Sequence, residues 1–180
     1  MIAIRDKDVI DQYFSESGGR DQGLVMLDSL KEWRKDGWRI GARKIACIRY
    51  GGTSYDIWAF AEVNSKDHDE VKQSIYFLSG CYAGILVPQS ALDQFESGKA
   101  WENIGDNNIR GGHCIYVQMY DESKGLLGCV TWGKIQMMSW NFWDRYCDEA
   151  YAIVDNKDHF IEDSPVDVEK LDSILDEITG

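Results

Sequence analysis

With 180 residues, the chain is long enough for one domain with a hydrophobic core and too short for two comfortable ones. Its 31 acidic and 19 basic residues give a net charge of −12, which argues against non-specific binding of nucleic acid because such binding needs a basic surface. No run approaches the roughly 18 apolar residues of a membrane span, and the first ten residues lack the apolar core of a secretory signal, so we expect a cytoplasmic protein.

The cysteines favour structural thiols over a metal site. The chain has five, an odd number, and none stands in CxxC spacing. Most lie in apolar runs, as buried free thiols of a reducing compartment do. The three histidines are scattered, and no ligand pair has finger-like spacing. We therefore expect no metal and no cofactor. The cysteines are Cys47, Cys81, Cys114, Cys129 and Cys147.

The first third of the chain predicts two helices and two strands. Residues 6–14 form a short amphipathic helix with Asp6 as its cap. Residues 21–36 carry leucines and a tryptophan at three-residue spacing, which is typical of a second helix. The strands are predicted at residues 44–50 and 55–63, on either side of a Gly-Gly turn.

The rest of the chain alternates between helices and strands. Asp67 and Glu70 have the spacing of a capping box, so a helix begins there and runs to about residue 78. Strands follow at residues 81–87, 113–120, 126–132 and 150–154, and short helices at 89–96 and 140–147. This order predicts an α+β fold.

The end of the chain predicts a separate helix. Ser164 and Pro165 are a typical helix start, with serine at the cap and proline in the first turn. An apolar stripe then continues on an otherwise acidic segment. We therefore assign residues 1–160 to a single domain and residues 161–180 to an acidic C-terminal helix.

Several short segments occur in the order and spacing of one known family. Gly111-Gly112-His113 enters a strand that ends at Tyr120-Asp121, and Val130-Thr131-Trp132-Gly133 closes the next strand. Upstream lie Gly23-Leu24-Val25-Met26, Gly80-Cys81-Tyr82-Ala83-Gly84-Ile85 and Asp93-Gln94-Phe95-Glu96-Ser97-Gly98. In this order the segments resemble the papain-like cysteine peptidase superfamily. The resemblance covers about three quarters of the chain and implies an antiparallel half-barrel with packed helices.

The resemblance also implies roles for individual residues. His113 matches the catalytic histidine, and the asparagine that orients it falls at Val130, or at Thr131 if the alignment slips by one. The cysteine nucleophile of the family lies far upstream, yet residues 1–20 contain no cysteine. The family's nucleophile region is therefore expected to be missing from this chain.

His113 has two interpretations. It is either a general base or a retained fold position whose ring packs beside Trp132. Cys114 is excluded as its partner, because adjacent strand residues point to opposite faces. Ile57-Trp58-Ala59-Phe60 resembles the nucleophile segment with its cysteine replaced, but its composition favours a strand. The other candidate thiols are Cys81, Cys129 and Cys147.

The tryptophans near the end of the chain also have two interpretations. Trp132, Trp140 and Trp143 form either a ligand-stacking platform or, as aromatic residues at helical spacing more often do, part of the core. We predict that the platform, if present, is a binding surface.

The functional prediction is a binding protein. A papain-like fold without its nucleophile is a pseudoenzyme, and an acidic surface suits a protein partner with a basic, nucleic-acid-binding surface. One version is a phage-encoded inhibitor of a host defence complex, similar to an anti-CRISPR. The alternative is an active cysteine hydrolase in which His113 works with a cysteine from elsewhere in the fold or from another chain.

Overall fold

The structure is a computed structural model that describes residues 4–41, 43–45, 48–155, 167, 169–170 and 173. It divides into two compact units. The first comprises the residues up to Ala59 and those from Val154 onward, and the second comprises Phe60–Ile153. The predicted helix start at Ser164-Pro165 lies outside the described residues, so the assignment of residues 161–180 stays a prediction.

The first unit opens with helix α1, Asp6–Glu16, which confirms the first predicted helix. Its cap differs from the prediction, because the N-cap residue is Arg5 and not Asp6. The Asp8 carboxylate accepts hydrogen bonds from the backbone and the guanidinium of Arg5. Asp8 is buried, whereas Val9 and Ile10 on the apolar face are about half exposed. The helix therefore buries the Asp8 carboxylate rather than its apolar stripe.

Helix α2, Met26–Asp36, begins five residues later than predicted. Leu30 is fully buried, and Gly37 ends the helix with a φ of +68° that favours glycine. Trp33 lies on its last turns, stacks on Trp38 at 4.3 Å between ring centroids, and donates to the backbone oxygen of Tyr55. The helix is thereby fixed to the strands that follow it.

Four short strands complete the described part of this unit. They are β1 (Trp38–Ile40), β2 (Arg43–Ile45), β3 (Ile48–Tyr50) and β4 (Thr53–Tyr55). β1 pairs with β4 and β2 with β3, both antiparallel. The predicted strand at residues 44–50 is thus two strands, and the one predicted at 55–63 is divided between the end of β4 and a later strand.

The second unit is built on a six-stranded sheet with three helices. Its elements are β5 (Ala59–Glu62), α3 (His68–Leu78), β6 (Cys81–Pro88), α4 (Gln89–Glu96), β7 (Ile109–Asp121), β8 (Leu126–Thr131), β9 (Lys134–Ser139), α5 (Trp140–Tyr146) and β10 (Cys147–Val154). The strand order is β5-β10-β6-β7-β8-β9, and the pairings from β10 through β9 are antiparallel. The α+β prediction is confirmed. Strand β9 was not predicted.

The helices of this unit start where the sequence indicated. The Asp67 side chain accepts from the backbone N–H groups of Asp69 and Glu70 and so caps α3. The Ser139 hydroxyl accepts from the backbone N–H of Phe142 and caps α5. These caps satisfy amide groups that have no partner inside the helix.

The core lies on one face of the sheet. Alternate residues of β6 and β7, among them Ile85, Ile115 and Val117, point into it and are at most 1% exposed. Trp101 lies in the loop after α4, is fully buried, and donates from Nε1 to the backbone oxygen of Ala91 at 2.9 Å. This bond holds the polar loop against helix α4.

None of the helices in the described ranges combines the length and apolar character needed to cross a bilayer.

Candidate functional site

The candidate site begins at the paired strands β6 and β7. His113 lies opposite Ile85 of β6, near the start of β7. It shares a face with Ile115 and Val117, because alternate residues of a strand point the same way. The imidazole is therefore directed to the core side of the sheet and is half buried.

Thr131, the last residue of β8, is the hydrogen-bond partner of His113. Its Oγ1 lies 2.6 Å from Nε2 of the imidazole, and the threonine is only 5% exposed. Of the two positions predicted for the orienting residue, Thr131 contacts the histidine. Val130 is 44% exposed and points to the opposite face.

Trp132 covers the imidazole. Its ring stacks on His113 with centroids 4.6 Å apart and an interplanar angle of 16°. Phe95 and Trp101 meet the same indole edge-on at 4.8 and 5.8 Å. Trp132 forms the β8–β9 turn with Gly133. Its φ of +43° lies in a region that residues other than glycine rarely adopt. The turn thus holds an unfavourable backbone conformation that places the indole on the histidine.

Burial sets the charge of the histidine. Desolvation lowers the pKa of His113 below its ordinary value, so the ring is neutral at neutral pH. With Nε2 directed at Thr131, Nδ1 is the other ring nitrogen. When Nε2 carries the proton and donates to Thr131, Nδ1 has a lone pair and is able to act as a base.

Two of the candidate thiols are too far along the sheet to reach this base. Cys81 and Cys129 both pair with Val117, four residues from His113 on β7. At the rise of a strand this separation is about 13 Å. Both thiols are buried, and desolvation raises the pKa of each to about 12.

The remaining described thiols are also out of reach. Cys147 pairs with Ile85 and so lies two strands from His113, a distance of about 10 Å. Burial raises its pKa to about 12. Cys114 is an exposed residue on the face opposite His113, yet desolvation of its thiol raises the pKa to about 11. Cys47 lies outside the described residues.

The three tryptophans predicted as a platform lie in three different environments. Trp143 is fully buried and donates from Nε1 to the backbone oxygen of Ser65, so it is a core residue. Trp140 is half buried and stacks on His68 at 3.9 Å. Only Trp132 lies at His113. The structure therefore does not bring the three predicted binding residues together.

A contact between a second histidine and an aspartate was not predicted from the sequence. Nε2 of His68 lies 2.7 Å from Oδ1 of Asp144, and the imidazole stacks on Trp140. His68 opens α3 and Asp144 lies in α5, 76 residues later, so no local spacing connects them. In the part of the chain that the structure describes, no three His, Cys, Asp or Glu side chains form a metal-binding group.

The fold is α+β and papain-like, as its similarity to a solved structure shows. In the second unit, a neutral histidine is hydrogen-bonded by the strand beside it and covered by a tryptophan. Among solved structures, the chain is similar to xylellain, a cysteine protease from Xylella fastidiosa, with a TM-score of 0.61 and 14% sequence identity. The similarity covers 81% of this chain and 68% of xylellain. No protein-family model matches the chain, and no curated protein does.

Proposed function

We propose that this chain acts by binding a protein partner on a papain-like scaffold and does not itself cleave peptide bonds. The observation that supports the proposal is the separation of His113 from the thiols. Cleavage by a cysteine hydrolase needs a thiolate within hydrogen-bond reach of its base, about 3 Å. The four described cysteines lie about 10 Å or more from His113 or on the opposite face of the sheet.

The raised pKa values support the same conclusion. A thiol with a pKa of 11 or 12 carries almost no thiolate at neutral pH, and the thiolate is the nucleophile. Burial is the largest cause of every shift, and at Cys147 it outweighs the lowering effect of the Lys66 charge. The described cysteines are suited to packing.

A cleavage assay tests the proposal. Purified protein is incubated with casein at pH 7, and new amino termini are measured for the wild type and for His113→Ala. We expect no release above background from either protein. Release by the wild type that is lost in His113→Ala would overturn the proposal.

A second candidate function is hydrolysis with a thiol from outside the described residues. It is favoured by the hydrogen bond between His113 and Thr131 and by the stack of Trp132, because together they hold a neutral imidazole with one nitrogen directed away from Thr131. Cys47 or a cysteine of another chain would supply the nucleophile. In the same assay, activity that is abolished by Cys47→Ala but retained in Cys114→Ala would support this candidate.

The nature of the partner follows from charge. A net charge of −12 favours a partner with a basic surface, such as a complex that holds nucleic acid. A phage-encoded inhibitor of a host defence complex is one function of this kind. Co-purification from a host lysate should recover a basic nucleic-acid-binding complex at low salt and release it at high salt. Recovery that does not depend on salt would contradict this part of the proposal.

A further inference from the structure

A groove lies between helix α3 and the end of strand β7. It has a volume of about 540 Å³ and is open to solvent. Aromatic rings and charged side chains both line it. Those used below are Asp69, Lys72, Tyr76, Phe77, Tyr120 and Glu122.

Three aromatic side chains that line the groove are exposed to solvent. Tyr76 is 73% exposed, Phe77 42% and Tyr120 37%. The Tyr76 and Phe77 rings meet edge-on with centroids 5.0 Å apart. Single exposed aromatic residues are common on protein surfaces, but several lining one groove mark an interaction site.

Carboxylates lie at the rim of the same groove. The Lys72 ammonium lies 2.7 Å from Asp69 and 3.5 Å from Glu122, so one cation is placed between two acids. Both carboxylates remain mostly exposed, at 79% and 71% of their side chains. Since Lys72 balances only one of the two negative charges, the rim keeps a negative charge. A cation is the ligand that both the rim and the aromatic faces favour.

We propose that this groove binds a basic segment of a partner protein, with an arginine or lysine side chain placed against the aromatic rings and beside the exposed carboxylates of the rim. Charge complementarity selects this occupant. A second copy of the chain carries a net charge of −12, and residues 161–180 are acidic as well, so both are repelled by the rim.

The groove is separate from the histidine site. Tyr120 lies seven residues from His113 along β7, which is about 23 Å at the rise of a strand. The inference rests on the proposed binding function for the class of partner, because that function requires a surface that recognises basic protein. It does not depend on whether His113 is catalytic, so the cleavage assay and the binding assay below fail independently.

Two matched peptides test the proposal by NMR. The probes are the capped tetrapeptides Leu-Arg-Arg-Leu and Leu-Glu-Glu-Leu, titrated into the full chain while the ring resonances of Tyr76, Phe77 and Tyr120 are followed. The arginine peptide should shift these rings and the glutamate peptide should not. Glu122→Gln should weaken binding about fivefold, as loss of an exposed ion pair does.

Two further variants sharpen the result. Tyr76→Ala removes a mostly exposed ring without affecting the core, and should weaken the arginine peptide. Lys72→Met removes the competing cation, and should strengthen binding of the arginine peptide by roughly the same factor of five. If Lys72 only supported the local structure, Lys72→Met would not increase the affinity for the arginine peptide.

Three results would overturn the proposal. The first is equal or tighter binding of the glutamate peptide, which would make Lys72 the anchor for an acidic partner. The second is a set of shifts that avoids the three rings. The third is movement of the ring resonances with protein concentration alone, which would assign the groove to a second copy of the chain.

Discussion

Oγ1 of Thr131 lies 2.6 Å from Nε2 of His113, across the pairing of strands β7 and β8. The two residues are 18 positions apart in sequence, and this one contact determines which ring nitrogen faces away from the strand. A hydroxyl is able to accept from a protonated Nε2 or to donate to a bare one. The contact therefore fixes the orientation of the imidazole and is compatible with both of its tautomers.

Replacing Thr131 with valine should measure the contribution of the hydrogen bond to stability separately from that of side-chain packing. The side chain keeps its shape but loses the hydroxyl, and the buried Nε2 of His113 loses its partner. We expect the free energy of unfolding to fall by about 1 kcal/mol, as measured by urea unfolding at pH 7. Thr131→Ser keeps the hydroxyl and is the control. A valine variant as stable as the wild type would show that the hydrogen bond does not contribute to stability.

Replacing Trp132 should test two effects: the backbone strain at position 132 and the desolvation of His113 by the indole. Trp132→Asn and Trp132→Ala both remove the indole, so desolvation decreases and the pKa of His113 should rise toward its ordinary value in both. Asparagine tolerates a positive φ better than alanine, so Trp132→Asn should be the more stable of the two by about 1 kcal/mol.

NMR titration and urea unfolding of the two Trp132 variants measure these effects. An unchanged pKa of His113 would mean that the indole does not desolvate the imidazole. Equal stabilities would mean that the backbone at position 132 is not strained.

The stability of the protein should depend on pH through His113. Its pKa in the folded state is lowered by burial, so the unfolded chain binds the proton more readily. The contribution of neutral His113 to stability is fully present above about pH 6.5, the ordinary pKa of histidine. It is lost as the pH falls through the lower pKa of the folded state. Urea midpoints between pH 8 and pH 5 should therefore decline more steeply in the wild type than in His113→Gln. Parallel curves would contradict this expectation.

Gly80, directly before β6, and Gly112, in β7, should respond differently to alanine. A Cβ at Gly80 would collide with the phenol ring of Tyr116, whereas one at Gly112 has no heavy atom within 4 Å beyond its chain neighbours. We expect Gly80→Ala to lower the free energy of unfolding by about 1–3 kcal/mol. Gly112→Ala, in the segment that enters β7, should change stability little. Thermal unfolding of both variants measures the difference, and similar losses would contradict the packing at Gly80.

The order of the elements in the second unit was predictable because their signals are local. Asp67 stands directly before the amphipathic stripe of α3, and the almost wholly apolar run after Gly80 indicated the central strand β6. Strand β9 was missed because its sequence does not alternate between apolar and polar residues in the usual way. Its inward-pointing Gln136 is polar, yet it is only 6% exposed and donates to the backbone oxygens of Lys99 and Met137. The folded loop supplies the Lys99 oxygen, which no local pattern of β9 indicates.

Other errors share this origin in tertiary contacts. Asp6 has the residue type of a helix cap, but Arg5 is the N-cap residue. The carboxylate that accepts from Arg5 belongs to Asp8, which also accepts from the backbone N–H of Gly41, 33 residues away. The site was predicted in part. The segment Gly111-Gly112-His113 identified the histidine, but the choice between Val130 and Thr131 depended on the register of β8, which the sequence does not encode locally. The contact between His68 and Asp144 carried no sequence signal.

The proposal that His113 activates no thiol is tested most directly by cysteine alkylation. The protein is treated with iodoacetamide at pH 7, and the modification rate of each of the five cysteines is followed by mass spectrometry in the wild type and in His113→Ala. We predict slow reaction at Cys81, Cys129 and Cys147, slow reaction at the exposed Cys114, and no rate that changes in the variant. A single cysteine, Cys47 included, that reacts far faster than the others and loses this reactivity in His113→Ala would contradict the claim.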